Sequence, residues 1–298
     1  METIRGAALV IFGFNRIDEF KVMWNGVLGA ENCYDRSLYI FIDGPKNHRD
    51  NDVSVDLLKI VEDDVSRFLT SEVIVRKDNL GLKVNIENGL DYVFSKEKAA
   101  IILEDDIVIA KSAFLYVDKM LTIFDKEQFG AISLYQYPSD FQREYSYSCS
   151  MYSCWGWATT AIRWNNYREY VGPKLSLRWD SWLSFNQGIY ATYLEQLIAN
   201  KRGLLHTWFI HWYFYNFCNR LPCIYPAKSL AKNIGFNENG SNCEVATSEY
   251  DVDFWDELHF EIRKVDGRPY SRFFKQLRMN RYGLISLLRR YLKLYLWV

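Results

Sequence analysis

Three adjacent acids, Glu104, Asp105 and Asp106, lie between the apolar runs Ile101-Ile102-Leu103 and Ile107-Val108-Ile109. A β-branched run that stops abruptly in acids reads as a buried strand of a parallel sheet, ending at Glu104. Ligands of open α/β sheets bind beyond the carboxyl ends of the strands, so these side chains would border a site. Neighbouring carboxylates repel one another, and burying them unpaired costs several kcal/mol. A divalent cation removes that cost, and an all-oxygen donor set suits Mg²⁺ or Mn²⁺. The competing explanation is a strand end whose acids simply face water.

Other chemistries find less support. Cys149/Cys154 and Cys218/Cys223 share a spacing, but neither pair sits in a small polar knuckle, and the six cysteines read as reduced, buried small hydrophobes rather than zinc ligands. His48, His206, His211 and His259 show no ligand pairing, and His206 and His211 fall on different helix faces. No G-x-G-x-x-G follows the first strand, and neither a P-loop nor a G-x-S-x-G elbow is present. An acidic strand end on a nucleotide-binding sheet without phosphate-gripping glycines implies a metal that grips the diphosphate instead. Aromatic residues make up 17% of the chain, a composition that lines sugar and base clefts as well as cores.

The elements that must position the acids alternate. Residues 7–14 read as a first buried strand, Asn15-Arg16 as its turn, and 17–27 as a helix. A second strand over 37–42 ends in the Asp43-Gly44-Pro45 turn, and an apolar stripe predicts a helix over 56–69. A third strand over 71–76, the Asp78–Leu82 turn and a helix to 94 lead into the strand ending at Glu104. A helix over 112–125 and a strand over 129–135 follow, with two helices over 191–217 and a short strand from Cys223. This alternation predicts an α/β fold, a parallel sheet with helices on both faces.

In order and spacing, these segments resemble the GT-A glycosyltransferases, and within them the branch of N-acetylglucosaminyltransferase I and its bacterial relatives. Phe14-Asn15-Arg16 resembles that branch's opening signature, Ile42-Asp43-Gly44 its second strand end, and Glu104-Asp105-Asp106 its acidic motif. Trp155-Gly156-Trp157 resembles its acceptor-side segment, and Cys223-Ile224-Tyr225-Pro226 through Ser229-Leu230-Ala231-Lys232-Asn233-Ile234-Gly235 its closing strand and loop. The resemblance implies a Rossmann-like GT-A sheet over residues 1–245, with 246–298 as a C-terminal extension. It implies that Asp106 binds Mn²⁺ or Mg²⁺ bridging two phosphates, that Glu104 and Asp105 contact donor sugar and ribose, and that Asp43 accepts from a nucleobase N–H. Phe12, Arg16, Asn79 and Lys83 would line the donor nucleotide. The donor would be a nucleotide-diphospho-sugar, UDP-linked by preference, and the acceptor a glycan or lipid-linked glycan hydroxyl; nucleic acid is not an expected partner.

The inverting members of the family use an Asp in a Trp-Asp-Asp-Trp element as base. Two places here compete for that role. Trp179-Asp180-Ser181-Trp182 has the composition but lies about 40 residues before Cys223, whereas Trp208–Trp212 has the interval but offers only His211. Position favours His211 and chemistry favours Asp180, so the base stays open at this point. A sugar nucleotidyltransferase and an inactive scaffold of the same fold are the alternatives. The first would need a glycine-rich basic loop that Phe12-Gly13-Phe14-Asn15-Arg16 does not provide.

The formal charge of −1 conceals an asymmetry. Residues 268–298 hold eight Lys/Arg and no acid, leaving 28 basic against 37 acidic groups elsewhere. In the tail Phe274, Leu277, Leu284, Ile285, Leu288, Leu292 and Tyr295 recur at helical spacing, with Trp297 at the end. A basic amphipathic stripe of this kind predicts an interfacial helix on an anionic membrane. With neither a signal segment nor an apolar 18-residue run, the expected location is cytoplasmic, on the inner face of the cell membrane.

Overall fold

The computed structural model describes residues 6–47, 51–124, 128–138, 144–170, 179–236, 249–266, 268–282 and 289. In the first half, β1 (Ala8–Gly13), α1 (Ile17–Leu28), β2 (Ser37–Ile42), α2 (Asn51–Val61), β3 (Thr70–Val75), α3 (Gly81–Phe94) and β4 (Ala99–Glu104) alternate as the hydrophobic pattern predicts. After β4 come β5 (Ile107–Ile109), α4 (Ala113–Phe124), β6 (Ala131–Ser133), β7 (Ser146–Cys149), β8 (Trp157–Thr160) and α5 (Ala161–Arg168). The chain continues through α6 (Trp179–Phe185), α7 (Tyr193–Lys201), α8 (Phe209–Cys218), β9 (Cys223–Tyr225), β10 (Ala231–Asn233), β11 (Ile262–Lys264) and α9 (Ser271–Tyr282).

Nine strands form one sheet in the order β11-β7-β9-β6-β8-β4-β1-β2-β3. β3, β2, β1 and β4 are mutually parallel, and β8 runs antiparallel to both β4 and β6. The central strands are continuously apolar because helices cover both their faces. Adjacent residues of β1 show this. Phe12 meets α3 at Gly89, while the bare Cα of Gly13 faces Phe20 of α1 and Leu57 of α2. Phe12 is therefore core, stacked on Phe41 with ring centroids 5.3 Å apart and 2% exposed. The sequence placed it beside the nucleotide; α3 covers it instead.

Two helices differ from expectation for identifiable reasons. α2 stops at Val61 rather than near 69, where Glu62-Asp63-Asp64 bring three acids to a helix carboxyl end that disfavours negative charge. The described residues from 249 to 282 pack against the main body. β11 joins the main sheet beside β7, and α9 packs on the body through Phe274 and Leu277, each 6% exposed. Phe274 lies against Tyr137 and Tyr193, while Phe273 meets Tyr250 and Tyr137. The Tyr270 and Tyr147 hydroxyls are hydrogen-bonded, and Arg278 Nε donates to the Tyr190 carbonyl at 3.1 Å. The apolar stripe expected to face a membrane is thus spent on the core as far as Leu277. Leu284, Ile285, Leu288, Leu292, Tyr295 and Trp297 lie outside the described residues. Among the described residues, no helix is long and apolar enough to cross a membrane.

Candidate active site

The acidic triplet sits where the chain passes from one sheet to another. Glu104 is the last residue of β4, opposite Phe12 in the register, and Asp105-Asp106 form a turn into β5. β5 leaves the main sheet and pairs antiparallel with β10, with Ile107 opposite Asn233. That pairing carries the next residues over the acids. The Ile234 N–H donates to the Asp106 carbonyl at 2.9 Å, and Gly235 lies against the Asp106 carboxylate. A Cβ at position 235 would fall 2.1 Å from Asp106 Oδ2 and 2.6 Å from Arg16 Nη1. Gly235 is needed for this close approach, which its place in the closing loop did not foretell.

The β1–α1 loop supplies the third wall. The Phe14 N–H donates to Asp105 Oδ2 at 3.2 Å, and Arg16 Nη1 binds Asp106 Oδ2 at 2.5 Å while standing 4.0 Å from Asp105 Oδ1. These three side chains are only 13–16% exposed. Burial, followed by the charges of Asp106 and Asp105, pushes the Glu104 carboxyl up to about 8. Burial and the Asp106 charge push Asp105 up to about 7. Asp106 is also raised by burial, with Arg16 pulling the other way. One guanidinium does not satisfy three desolvated carboxylates, so the cluster binds protons unusually well.

Asp43 and Asn79 form a second group, and their geometry departs from a nucleobase reader. Asp43 Oδ1 accepts from the Gly44 and Leu80 N–H groups at 3.0 and 2.9 Å. Its Oδ2 accepts from Gly81 N–H at 3.0 Å and Asn79 Nδ2 at 3.1 Å. A carboxylate offers about four lone-pair sites, and all are taken. Asn79 Nδ2 also donates to the Gly44 carbonyl at 2.8 Å. Both side chains fasten the β2 end to the start of α3, where Gly44 comes so close that a Cβ would sit 2.3 Å from the Asp78 carbonyl carbon. A base N–H could use Asp43 only by displacing one of these donors.

Lys83 and His211 make a third group. Lys83 lies in the first turn of α3, just past β3. α8 leads into β9, which runs parallel to β6 and hence in the direction of β4, so its first turn, with His211, lies toward the same carboxyl edge. Trp208 and Trp212 of this helix pack on Trp157, whose register partner Ile102 is two residues before Glu104. Burial, then the Lys83 charge, lowers His211 below the ordinary histidine value. Lys83 is thus near enough for its charge to be felt at His211, while Arg16 is paired with the acids. Asp180 belongs to the first turn of α6, but its side chain lies outside those described.

An aromatic wall stands beside the acids. Trp155 lies 4.7 Å from Tyr135, 5.1 Å from Phe236 and 5.3 Å from Tyr250, centroid to centroid. The next residue, Gly156, has φ +75° and only 3.2–3.4 Å of clearance to Ile107, Ala231 and Leu134, so the turn admits no side chain. Cys154, preceding Trp155, is held protonated by burial and by the Glu104 and Asp106 charges, which makes it an unreactive thiol.

Among the described residues no three His, Cys, Asp or Glu side chains converge to hold a metal ion unaided. A divalent cation bound with nucleotide phosphates needs only one or two carboxylates. The triplet's donor set is oxygen-only, the kind such an ion takes, and Asp106 would be its ligand with Asp105 and Glu104 beside it.

No protein-family model matches the chain, and no curated protein matches its sequence. Several solved structures are distant likenesses. A glucose-1-phosphate thymidylyltransferase of Bacillus anthracis, described as putative and in complex with a sucrose, is 12% identical with a TM-score of 0.41, over 74% of this chain and 85% of that one. Galactosyltransferase LgtC, in complex with donor and acceptor sugar analogs, is 8% identical with a TM-score of 0.38, over 73% and 72%. Residues 1–349 of S. aureus TarS, in complex with UDP, are 12% identical with a TM-score of 0.34, over 47% and 40%. At these scores the likenesses carry no functional inference, and the site must be judged by its own geometry.

Proposed function

We propose that the protein is a metal-dependent glycosyltransferase that moves a sugar from a nucleotide-diphospho-sugar, UDP-linked by preference, to a hydroxyl of a glycan or lipid-linked glycan. The observation that carries this reading is the buried bend at Glu104-Asp105-Asp106. Three carboxylates there have raised proton affinity at the carboxyl edge of an open α/β sheet, between the β1–α1 loop and the Gly235 loop. Bound through Asp106, Mg²⁺ or Mn²⁺ supplies positive charge to the leaving diphosphate.

The chain's own residues do the rest. Arg16 stands where its guanidinium can reach the phosphates, and Trp155 with Phe236 and Tyr250 offers apolar faces on which a sugar ring can rest. His211 is neutral at neutral pH and so can accept the acceptor hydroxyl proton as that oxygen bonds to the anomeric carbon and the bond to the diphosphate breaks. In-line attack of this kind inverts the anomeric centre. Asp43 and Asn79 hold the loop that borders the nucleotide rather than reading its base.

Transfer or donor hydrolysis should vanish in EDTA and return with Mn²⁺. An Asp106→Ala variant retaining full activity would sink the assignment.

A further inference from the structure

The transferase reading asks Asp106 to meet a divalent cation, yet its Oδ2 is already held by Arg16 Nη1 at 2.5 Å. Gly235 closes on both groups from the ribbon side, leaving no room there for even one carbon. A cation on either Asp106 oxygen would place a second positive centre within a few ångströms of the guanidinium. Two such charges cannot share one partly desolvated carboxylate without strong repulsion. Arg16 itself is anchored at the backbone, where its carbonyl accepts from the Phe20 N–H at 2.9 Å as α1 begins. Only the side chain is left to move.

We propose that Arg16 is a positioning residue that stands in for the cation. In the free protein it neutralises Asp106. When the cation arrives with the donor, the guanidinium swings from Asp106 to the diphosphate, whose oxygens match its planar fork. The cation alone then binds weakly, because it must displace the Arg16–Asp106 ion pair. The diphosphate offers the guanidinium a bidentate partner in place of Asp106, so each of the two raises the affinity of the other by the same factor. This inference rests on the transferase reading for the identity of the second ligand, but not for the competition between Arg16 and the cation.

The test titrates Mn²⁺ alone into the full chain, following free Mn²⁺ by electron paramagnetic resonance, and measures UDP binding calorimetrically with and without Mn²⁺. Arg16→Gln should bind Mn²⁺ alone about tenfold or more tightly than wild type, as expected when a neighbouring opposite charge is removed from a carboxylate. Its UDP affinity at saturating Mn²⁺ should fall, and the coupling between the two ligands should shrink. Arg16→Lys keeps a charge and should leave Mn²⁺ affinity near wild type. Mn²⁺ binding that is absent in both, equal in both or weaker in Arg16→Gln overturns the proposal. If Arg16→Gln does not fold, Arg16→Met is read in the same way, and independent binding of Mn²⁺ and UDP to wild type refutes the exchange. Failure of UDP, GDP and dTDP alike to bind with Mn²⁺ would refute the transferase reading, while the Mn²⁺ titrations would still judge Arg16.

Discussion

Adding one carbon at position 235 should disable the site with little damage to the fold. In Gly235→Ala the new Cβ would lie 2.1 Å from Asp106 Oδ2, 2.9 Å from its Cγ and 2.6 Å from Arg16 Nη1. Carbon contacts become comfortable near 3.5 Å, so the carboxylate and the guanidinium must each retreat by roughly 1 Å. Overpacking costs about 1–3 kcal/mol, and the lower end applies because both obstructing groups end movable side chains. A melting temperature lower by a few degrees is therefore expected. Misplacing reacting groups by about 1 Å costs on the order of 100-fold in rate, so transfer should suffer far more than stability. Gly203→Ala is the matched control. Gly203 has φ +70° with nothing within 4 Å of its would-be Cβ, so alanine there meets only backbone strain of about 1 kcal/mol. Calorimetry of UDP with Mn²⁺, beside thermal melts of both variants, separates the cases. Wild-type UDP affinity and transfer rate in Gly235→Ala would show that the ribbon does not close on Asp106 as described.

The acids also set a pH dependence. Their folded proton affinities exceed the unfolded ones, so their stabilising contribution is complete below the ordinary carboxylate range and is lost as pH rises toward about 8. In EDTA, the melting temperature of wild type relative to Glu104→Gln should fall between pH 5 and pH 8.5; a flat or rising difference contradicts the burial argument. If His211 is the base, His211→Ala should lower kcat by orders of magnitude, and wild type should lose activity along an acid limb below the usual histidine value. Near-normal turnover in His211→Ala with collapse in Asp180→Asn would move the role to Asp180. A chain ending at Asp266 should melt well below wild type, since burying Tyr270, Phe274 and Leu277 contributes about 1.5–3 kcal/mol per large apolar side chain. An unchanged melt would free α9 for another surface.

Local pattern told most about the first half of the chain. The uninterrupted apolar runs of β1, β2 and β4 and the stripes of α1 and α3 are short-range signals, and their bounds agree with expectation within a few residues. Phe12 belonged to the same run, and only the register could show that it points at Gly89 rather than at a ligand. β5, β10, β7, β8 and β11 escaped notice because each is three or four residues long and exists through a partner distant in sequence. The acid triplet was legible as chemistry, but its pairing with Arg16 spans 90 residues and left no trace in spacing. Asp43 carried a true signal, an acid before Gly-Pro at a strand end, with two readings that sequence could not separate. Four hydrogen bonds show the loop-fastening role.

The pairing of β5 with β10 also bears on the order in which the molecule is made. Ile107 and Asn233 become neighbours across more than a third of the chain, a contact whose loop-closure entropy makes it slow to form. During synthesis the strands up to β4 can associate first, with Asp105 and Asp106 still open to water and their charges at ease. Only when residues 231–235 dock do the carboxylates lose solvent and acquire their electrostatic stress. The sheet is thus spared that stress while it nucleates, and the acid cluster is enclosed only after β10 has been made.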